Sequence, residues 1–135
     1  MDVLGCEALV AIDSTGMLGV VSWLLGPAST AEIRALAVAR RARRRGVGSR
    51  LLEEAQARLR ERGVRTAWLI TTNDNAAAIA LYRRAGYRLK ARHKGAIDEL
   101  RRTIKPSIPE IGEGGVPITD ELEFELDMAA GDPRG

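Results

Sequence analysis

The chain has 135 residues, a length that suits one domain with a core of its own. Its net charge of +3 hides three unlike blocks. Residues 1–33 hold four acids and no Lys or Arg, residues 34–105 hold 20 bases and six acids, and residues 106–135 hold eight acids and one Arg. This segregation excludes an evenly mixed, disordered polyampholyte and points to a concentrated anion site in the middle of the chain.

Cysteine usage excludes more. The single Cys6 leaves no internal disulfide framework and no cysteine-based zinc site, so no metal is expected. A reduced cytoplasmic setting is the expected one. The opening Met1-Asp2-Val3 lacks the basic n-region of a signal peptide. The longest apolar run, Met17 to Leu25, is too short to cross a bilayer. Of the 21 bases 18 are Arg, which a genome-composition bias explains as well as a function does.

In chain order, Glu7 to Ile12 reads as a strand. Asp13-Ser14-Thr15-Gly16 reads as a four-residue turn, and Met17 to Leu25 completes a hairpin. Gly26-Pro27 breaks the chain, and Ala31 to Val38 is a third strand. Arg40 to Gly48 is a basic, glycine-punctuated loop. A helix follows to about Arg62, with Val47, Leu51, Leu52, Ala55 and Leu59 on one stripe. Glu54 and Arg58 stand at i,i+4 on its exposed side, and Gly63 stops it. Arg65 to Thr72 is a strand with Ala67-Trp68-Leu69-Ile70 as its buried centre. Asn73-Asp74-Asn75 offers N-caps for a helix that carries Ala78, Leu81, Tyr82 and Ala85 on one face and ends at Gly86. Tyr87 to Ala91 is a strand. Residues 93–118 are irregular, with a short helix from Ala96 to Ile104 followed by a Pro/Gly-rich loop. The last run puts Leu122, Phe124, Leu126 and Met128 on one face, and Glu121, Glu123, Glu125 and Asp127 on a solvated one. A strand–loop–helix–strand unit is right-handed and parallel by default. With hairpins on either side, the sheet must be mixed, and the class α/β or α+β.

The chemistry concentrates in Arg43-Arg44-Arg45-Gly46-Val47-Gly48-Ser49, between a strand and a helix N-terminus. A first helical turn has unpaired N–H groups and partial positive charge, and both favour anions. Glycine lets the backbone approach a phosphate closely. Five arginines within residues 40–45 add attraction and bidentate contacts. The loop is neither a Walker A sequence nor a dinucleotide fingerprint.

Arg43-Arg44-Arg45-Gly46-Val47-Gly48 resembles the main motif of the GNAT (GCN5-related N-acetyltransferase) superfamily, Arg/Gln-x-x-Gly-x-Gly/Ala. The preceding Glu32-Ile33-Arg34-Ala35-Leu36-Ala37-Val38 is similar to the family's strand before that loop. Asn75, Ala78, Leu81, Tyr82, Gly86 and Tyr87 match its second motif in spacing. The resemblance is clear over residues 7–92, with 93–118 an irregular connection and 119–128 a last strand, all in one domain over 1–135. It implies a mixed sheet whose central parallel strands splay, with flanking helices. No counterpart of the family's opening strand and two helices is found, so the chain reads as N-terminally shortened.

The resemblance implies acetyl-CoA as co-substrate and an amine as acceptor, attacking directly in a ternary complex. The amides of residues 44–49, with Arg43, Arg44, Arg45, Gly46, Val47, Gly48 and Ser49, would hold the pyrophosphate. Leu36, Ala37 and Val38 would pair with the pantetheine arm through their backbone. Tyr82 matches the family's general acid, and Glu32 matches a position that serves some members as base. Asn75 and Ala78 would line the cofactor, although N-capping alone explains Asn75. His93 is expected at the surface, and Trp23 and Trp68 in the core. Two other readings stay open: a shortened non-catalytic fold that binds CoA or only dimerises, and a basic nucleic-acid module, which five aromatic residues support poorly. Neither membrane nor nucleic acid is an expected partner. A homodimer that covers exposed core is.

Overall fold

The structure is a computed structural model that describes residues 6–128. The Met1-Asp2-Val3 opening lies outside the described residues. The elements are β1 (Cys6–Asp13), β2 (Gly16–Leu25), β3 (Thr30–Val38), α1 (Val47–Glu61), β4 (Thr66–Thr72), α2 (Ala76–Arg84), β5 (Arg88–His93), α3 (Ala96–Thr103) and β6 (Glu121–Asp127). Short 3-10 turns lie at Arg40–Ala42 and Glu113–Gly115. The strands are hydrogen-bonded in the order β1-β2-β3-β4-β6-β5. β1–β2, β2–β3 and β5–β6 are antiparallel and β3–β4 is parallel, so the sheet is mixed as expected. The described residues divide into two compact units, one of residues 6–68 and 126–128, the other of residues 69–125.

In the first unit the hairpin turn is tighter than the expected four residues, because Asp13 pairs with Gly16. Asp13 Oδ1 accepts from the Thr15 amide at 2.7 Å and from the Thr15 hydroxyl at 2.5 Å, closing an Asx turn. Gly16 supplies the positive φ of 118° that follows it.

Helix α1 lies against this hairpin with Leu51, Leu52, Ala55 and Leu59 buried, the expected stripe. It comes closest at Gly19. A Cβ there would stand 2.8 Å from the Ala37 carbonyl oxygen, 3.0 Å from Leu51 and 3.2 Å from Val47. Hydrogen seats the helix where no larger side chain fits. On the exposed face of α1 the expected Glu54–Arg58 pair is replaced. Glu54 accepts from Arg50 Nε at 3.2 Å, one turn to its N-terminal side. Gly63, with φ of 79°, follows the helix end as expected.

Strand β3 carries the parallel ladder only at its start, with Thr30↔Thr66, Ala31↔Ala67 and Glu32↔Trp68 in register. From Ile33 to Val38 its registered neighbour is β2. Burial changes at the same point. Ala31 and Ile33 are buried, whereas Arg34, Ala35 and Ala37 are exposed and Leu36 and Val38 half-buried. Strand β4 alternates, with Ala67 and Leu69 buried, Trp68 half-buried and Ile70 43% exposed. The continuous buried centre expected for Trp68 and Ile70 is therefore corrected to a two-faced strand. Trp23 is in the core as expected, 1% exposed, with its Nε1–H donating to Glu7 Oε1 at 3.3 Å.

In the second unit Asn75 Oδ1 accepts from the Ala78 amide at 3.4 Å and caps α2. The acidic face of β6 is less solvated than expected. Its carboxylates meet the bases of β5, with Lys90 Nζ at 3.1 Å from Glu125 and 3.8 Å from Glu123. His93, exposed as expected, lies 3.4 Å from Glu123.

The connection between β5 and β6 is built around hydrogen-bonded polar groups, among which Asp120 is buried. Asn73 Oδ1 accepts from the Thr119 and Asp120 amides, each at 2.9 Å, and Asn73 Nδ2 donates to the Pro117 carbonyl at 2.8 Å. The Asp120 carboxylate accepts from the Gly95 amide at 3.0 Å and from Arg92 at 2.7 Å. Arg101, at the end of α3, donates to the carbonyls of Ile108, Pro109 and Ile118. A Cβ at Gly112 would collide with the Asp74 carboxylate, so this loop folds down onto the turn before α2.

Two consequences are measurable. Gly19→Ala should destabilise by about 1–3 kcal/mol, since overpacking against a strand carbonyl outweighs the usual gain from alanine. Chemical denaturation measures this directly. The second concerns pH. The Gly95 N–H, and then Arg92, hold the Asp120 carboxyl below its ordinary value. Such a group adds stability in full above the ordinary carboxylate pKa of about 3.9, lost as pH falls through its lowered value. Asp120→Asn should therefore lower the melting temperature at pH 7, and the gap to wild type should narrow below about pH 4.

Candidate functional site

The first unit presents the basic loop. Arg44 has a φ of 66° and Gly46 a φ of 76°, so two left-handed residues stand two apart just before α1. Alternating hands of this kind turn successive backbone N–H groups toward one concavity, a nest for an anion. Arg44 bears a side chain in that conformation, where Gly is the ordinary choice. A Cβ on Gly46 would meet nothing within 4 Å, so the backbone lies open to an incoming group.

The three helices treat their N-termini differently. Asn75 caps α2, and Asp98 and Glu99 place two acids in the first turn of α3. Helix α1 begins after Gly46 with no side-chain cap and no acid in its first turn. The amides of Val47, Gly48 and Ser49 and the positive end of the dipole are thus left for a ligand.

The five arginines do not act alike. Arg41 Nη2 donates to the Met17 carbonyl at 2.7 Å, and its Nε lies 3.4 Å from Thr15 Oγ1. Arg45 lies 3.8 Å from Asp13 Oδ2. These two fasten the loop to the hairpin tip. The Thr15 hydrogen bonds first, and then Arg45 and Arg41, hold the Asp13 carboxyl below its usual range, so this anchor stays ionised. Arg40, Arg43 and Arg44 are exposed and hold no ion pair among the described residues. Asp13 and Thr15 therefore belong with the site, although the sequence marked them only as turn formers.

Near the start of β3, Glu32 pairs with Arg34 at 3.3 Å. Beyond it, Leu36, Ala37 and Val38 occupy the stretch that is partly exposed and has β2 alone in register.

The second unit places Tyr82 on the inner face of α2, buried against Tyr87 at 5.9 Å and Phe124 at 6.4 Å between ring centroids. Burial pushes its phenol pKa up, so the hydroxyl keeps its proton at neutral pH. Arg83 lies 5.5 Å from the Phe124 ring centre, over its face. The Ala78 amide is engaged by Asn75, so that position offers its methyl group. The described residues hold no cluster of three or more His, Cys, Asp or Glu placed for a metal.

Comparison with known proteins agrees with this arrangement. The sequence profile of the acetyltransferase (GNAT) family matches residues 4–87. An uncharacterized protein, YxbD of Bacillus subtilis strain 168, is 44% identical over 78 residues, 58% of this chain and 48% of that protein. A mycothiol acetyltransferase of Clavibacter michiganensis is 40% identical over 80 residues, 59% of this chain and 26% of that enzyme. The chain thus matches about half the length of the first relative and a quarter of the second. Among solved structures, a Bacillus subtilis acetyltransferase in complex with CoA superposes with a TM-score of 0.79 at 24% identity, over 91% of this chain and 77% of that one. The ribosomal-protein-S18-alanine N-acetyltransferase of Escherichia coli gives 0.75 at 22%, over 99% and 76%. These two likenesses show a shared fold. The loop, the second motif and the fold agree with the profile match over more than half the chain, and the protein belongs to the GNAT acetyltransferase family.

Proposed function

We propose that the chain transfers an acetyl group from acetyl-CoA to an amine. One observation carries the donor side: α1 is the only described α-helix whose N-terminus has neither a cap nor an acid, and it follows a nest flanked by Arg43 and Arg44. Residues of this kind suit a pyrophosphate, with Gly46, Val47, Gly48 and Ser49 giving amides and Arg43 and Arg44 giving guanidinium donors. Arg45 contributes mainly by fixing the loop to Asp13. The exposed backbone of Leu36 to Val38 suits an extended amide-bearing arm, which would pair with it as an added strand does.

Acetyl-CoA supplies an activated thioester acyl group when bound. The chain supplies proton management and position. An amine acceptor with a pKa near 10 must lose a proton before it attacks. Glu32 is the proposed acceptor of that proton, directly or through water, with Arg34 holding its carboxylate in place. Tyr82 is the proposed donor to the departing sulfur, and its burial supports a phenol that is still protonated at neutral pH. Asn75 fixes the start of the helix that carries it. The acetyl-CoA bound to similar structures, among them a GNAT acetyltransferase of Elizabethkingia anophelis, supports the same donor.

Titration calorimetry with acetyl-CoA should show binding that weakens at least tenfold in Arg43→Ala/Arg44→Ala. Folded protein that gives no heat at millimolar acetyl-CoA would reject the donor assignment. Tyr82→Phe should slow CoA release by about 10²-fold or more with amine acceptors and leave acetyl-CoA affinity near wild type. An unchanged rate, with chemistry limiting, would remove Tyr82 from the acid role.

A further inference from the structure

Helix α2 carries Tyr82, and its start is held less by its own cap than by the residue two places before that cap. Asn75 Oδ1 accepts from the Ala78 amide at 3.4 Å, beyond the usual range of about 2.7–3.2 Å for such a bond, and the first turn has no acid. Asn73 is tied more firmly. Its Oδ1 accepts from the Thr119 and Asp120 amides, each at 2.9 Å, and its Nδ2 donates to the Pro117 carbonyl at 2.8 Å. Its backbone N–H donates to the Asp120 carbonyl at 3.1 Å. All of these bonds go to the segment that leads into β6.

That segment has other fastenings of its own. Arg101 donates to the Ile118 carbonyl at 3.0 Å, the Ile97 N–H donates to the Thr119 carbonyl at 2.9 Å, and the Asp120 carboxylate takes the Gly95 amide and Arg92. What Asn73 adds is the tie between this segment and the turn that begins α2. The turn is itself braced. The Asn75 N–H donates to the Thr72 carbonyl at 3.2 Å, the Ala76 N–H to the Asp74 carbonyl at 3.0 Å, and the Thr72 hydroxyl to Asp74 Oδ1 at 2.5 Å. A displacement at Asn73 is therefore handed on to Asn75. Strand β6 meets α2 again further along, where the fully buried Phe124 ring lies 6.4 Å from that of Tyr82.

We propose that Asn73 is a positioning residue for Tyr82: by locking the start of α2 to the segment before β6, it holds the Tyr82 hydroxyl at one place relative to that strand. The proposal rests on the acid role given to Tyr82 above. Magnitude is the argument. Tyr82 lies seven residues past Asn75, roughly 10 Å along the helix, so a tilt of about 5° at the cap moves it by roughly 1 Å. Proton donation needs an approach of about 2.6–3.2 Å, and a misplacement of about 1 Å costs on the order of 10²-fold in rate. Apolar contact is non-directional, so the ring contacts of Tyr82 do not by themselves set the start of the helix. Of the three polar residues that the sequence offers as caps, Asn75 caps, and Asn73 aims the helix.

The test uses the whole chain. It has two tyrosines, so labelling at tyrosine 13Cζ gives two NMR signals, which Tyr82→Phe assigns. Asn73→Ala removes three side-chain bonds and should move or split the Tyr82 signal. Asn73→Asp keeps both accepted amides and should leave that signal near its wild-type position. Kinetics are read as CoA release from acetyl-CoA with the primary amine on which the wild type is fastest. Asn73→Ala should lower kcat about tenfold or more, with KM for acetyl-CoA within about twofold of wild type. In a Tyr82→Phe background the same change should cost less than about twofold, because the hydroxyl it positions is gone. Gly112→Ala drives a methyl group into the Asp74 carboxylate and reaches the same turn without touching Asn73, so it should repeat the NMR change and serves if Asn73→Ala does not fold. A Tyr82 signal unmoved in the folded variants would overturn the inference. So would equal losses of kcat with and without the Tyr82 hydroxyl. A moved signal together with a Tyr82→Phe rate equal to wild type would instead sink the acid role and leave the positioning in place.

Discussion

The close approach of α1 to β2 at Gly19 is the constraint on which the first unit depends. A helix can sit that near a strand only where a side chain is missing, and here the space is shared with Leu51 and Val47. Val47 is also the first residue of α1, so the packing that seats the helix fixes the position of its first turn. The open amides follow directly from that turn. The loop before them is then fastened from the other side, by Arg41 and Arg45 reaching the hairpin tip. Core packing at one glycine and two surface arginines together hold a short backbone segment in a shape that suits an anion.

That division of labour changes the meaning of the charge pattern. The excess of bases in the middle of the chain is not one undivided attraction. Arg41 and Arg45 are spent on Met17, Thr15 and Asp13, and Arg92 and Arg101 hold Asp120 and three loop carbonyls in the second unit. Lys90 offsets the carboxylates of β6. What is left over at the loop is Arg40, Arg43 and Arg44, beside the uncapped helix. Much of the apparent basicity is structural, and what is left over is small and local.

The sequence made the elements legible where periodicity and punctuation agree. The α1 stripe ending at Gly63, the Asn75 cap with Tyr82 four residues past Ala78, and the alternation from Leu122 to Phe124 were all open to reading, because each is fixed by local geometry. Both family motifs fall in such places. Partner choice was not legible. Local geometry puts Arg50 and Arg58 each one turn from Glu54 and favours the acid-before-base order with Arg58, so the pairing with Arg50 could not be read from spacing. Nor does an apolar run such as Ala67 to Ile70 reveal which of its residues is covered, because that depends on which elements reach each face. The position of β6 between β4 and β5 is likewise a result of packing, as sequence order alone would put β5 next to β4. Asn73 and Asp120 are 47 residues apart and meet only in the fold.

The two faces of the β1–β3 sheet show how one set of strands serves two ends. Alternation gives each strand a side for α1 and a side without it, and the register brings the second side together as a continuous uncharged strip. A lone charge at Val20, between Val10 and Ala37, would be held against apolar groups on both flanks. Toward its two ends stand the pairs Glu32–Arg34 and Asp13–Arg45, with Arg40, unpaired among the described residues, just past β3. The same spacing that leaves the strip apolar puts Glu32 at its border, next to the strand segment where the parallel ladder stops. Charged side chains in the first unit therefore gather toward the ends of the sheet, while the face toward α1 is left to packing.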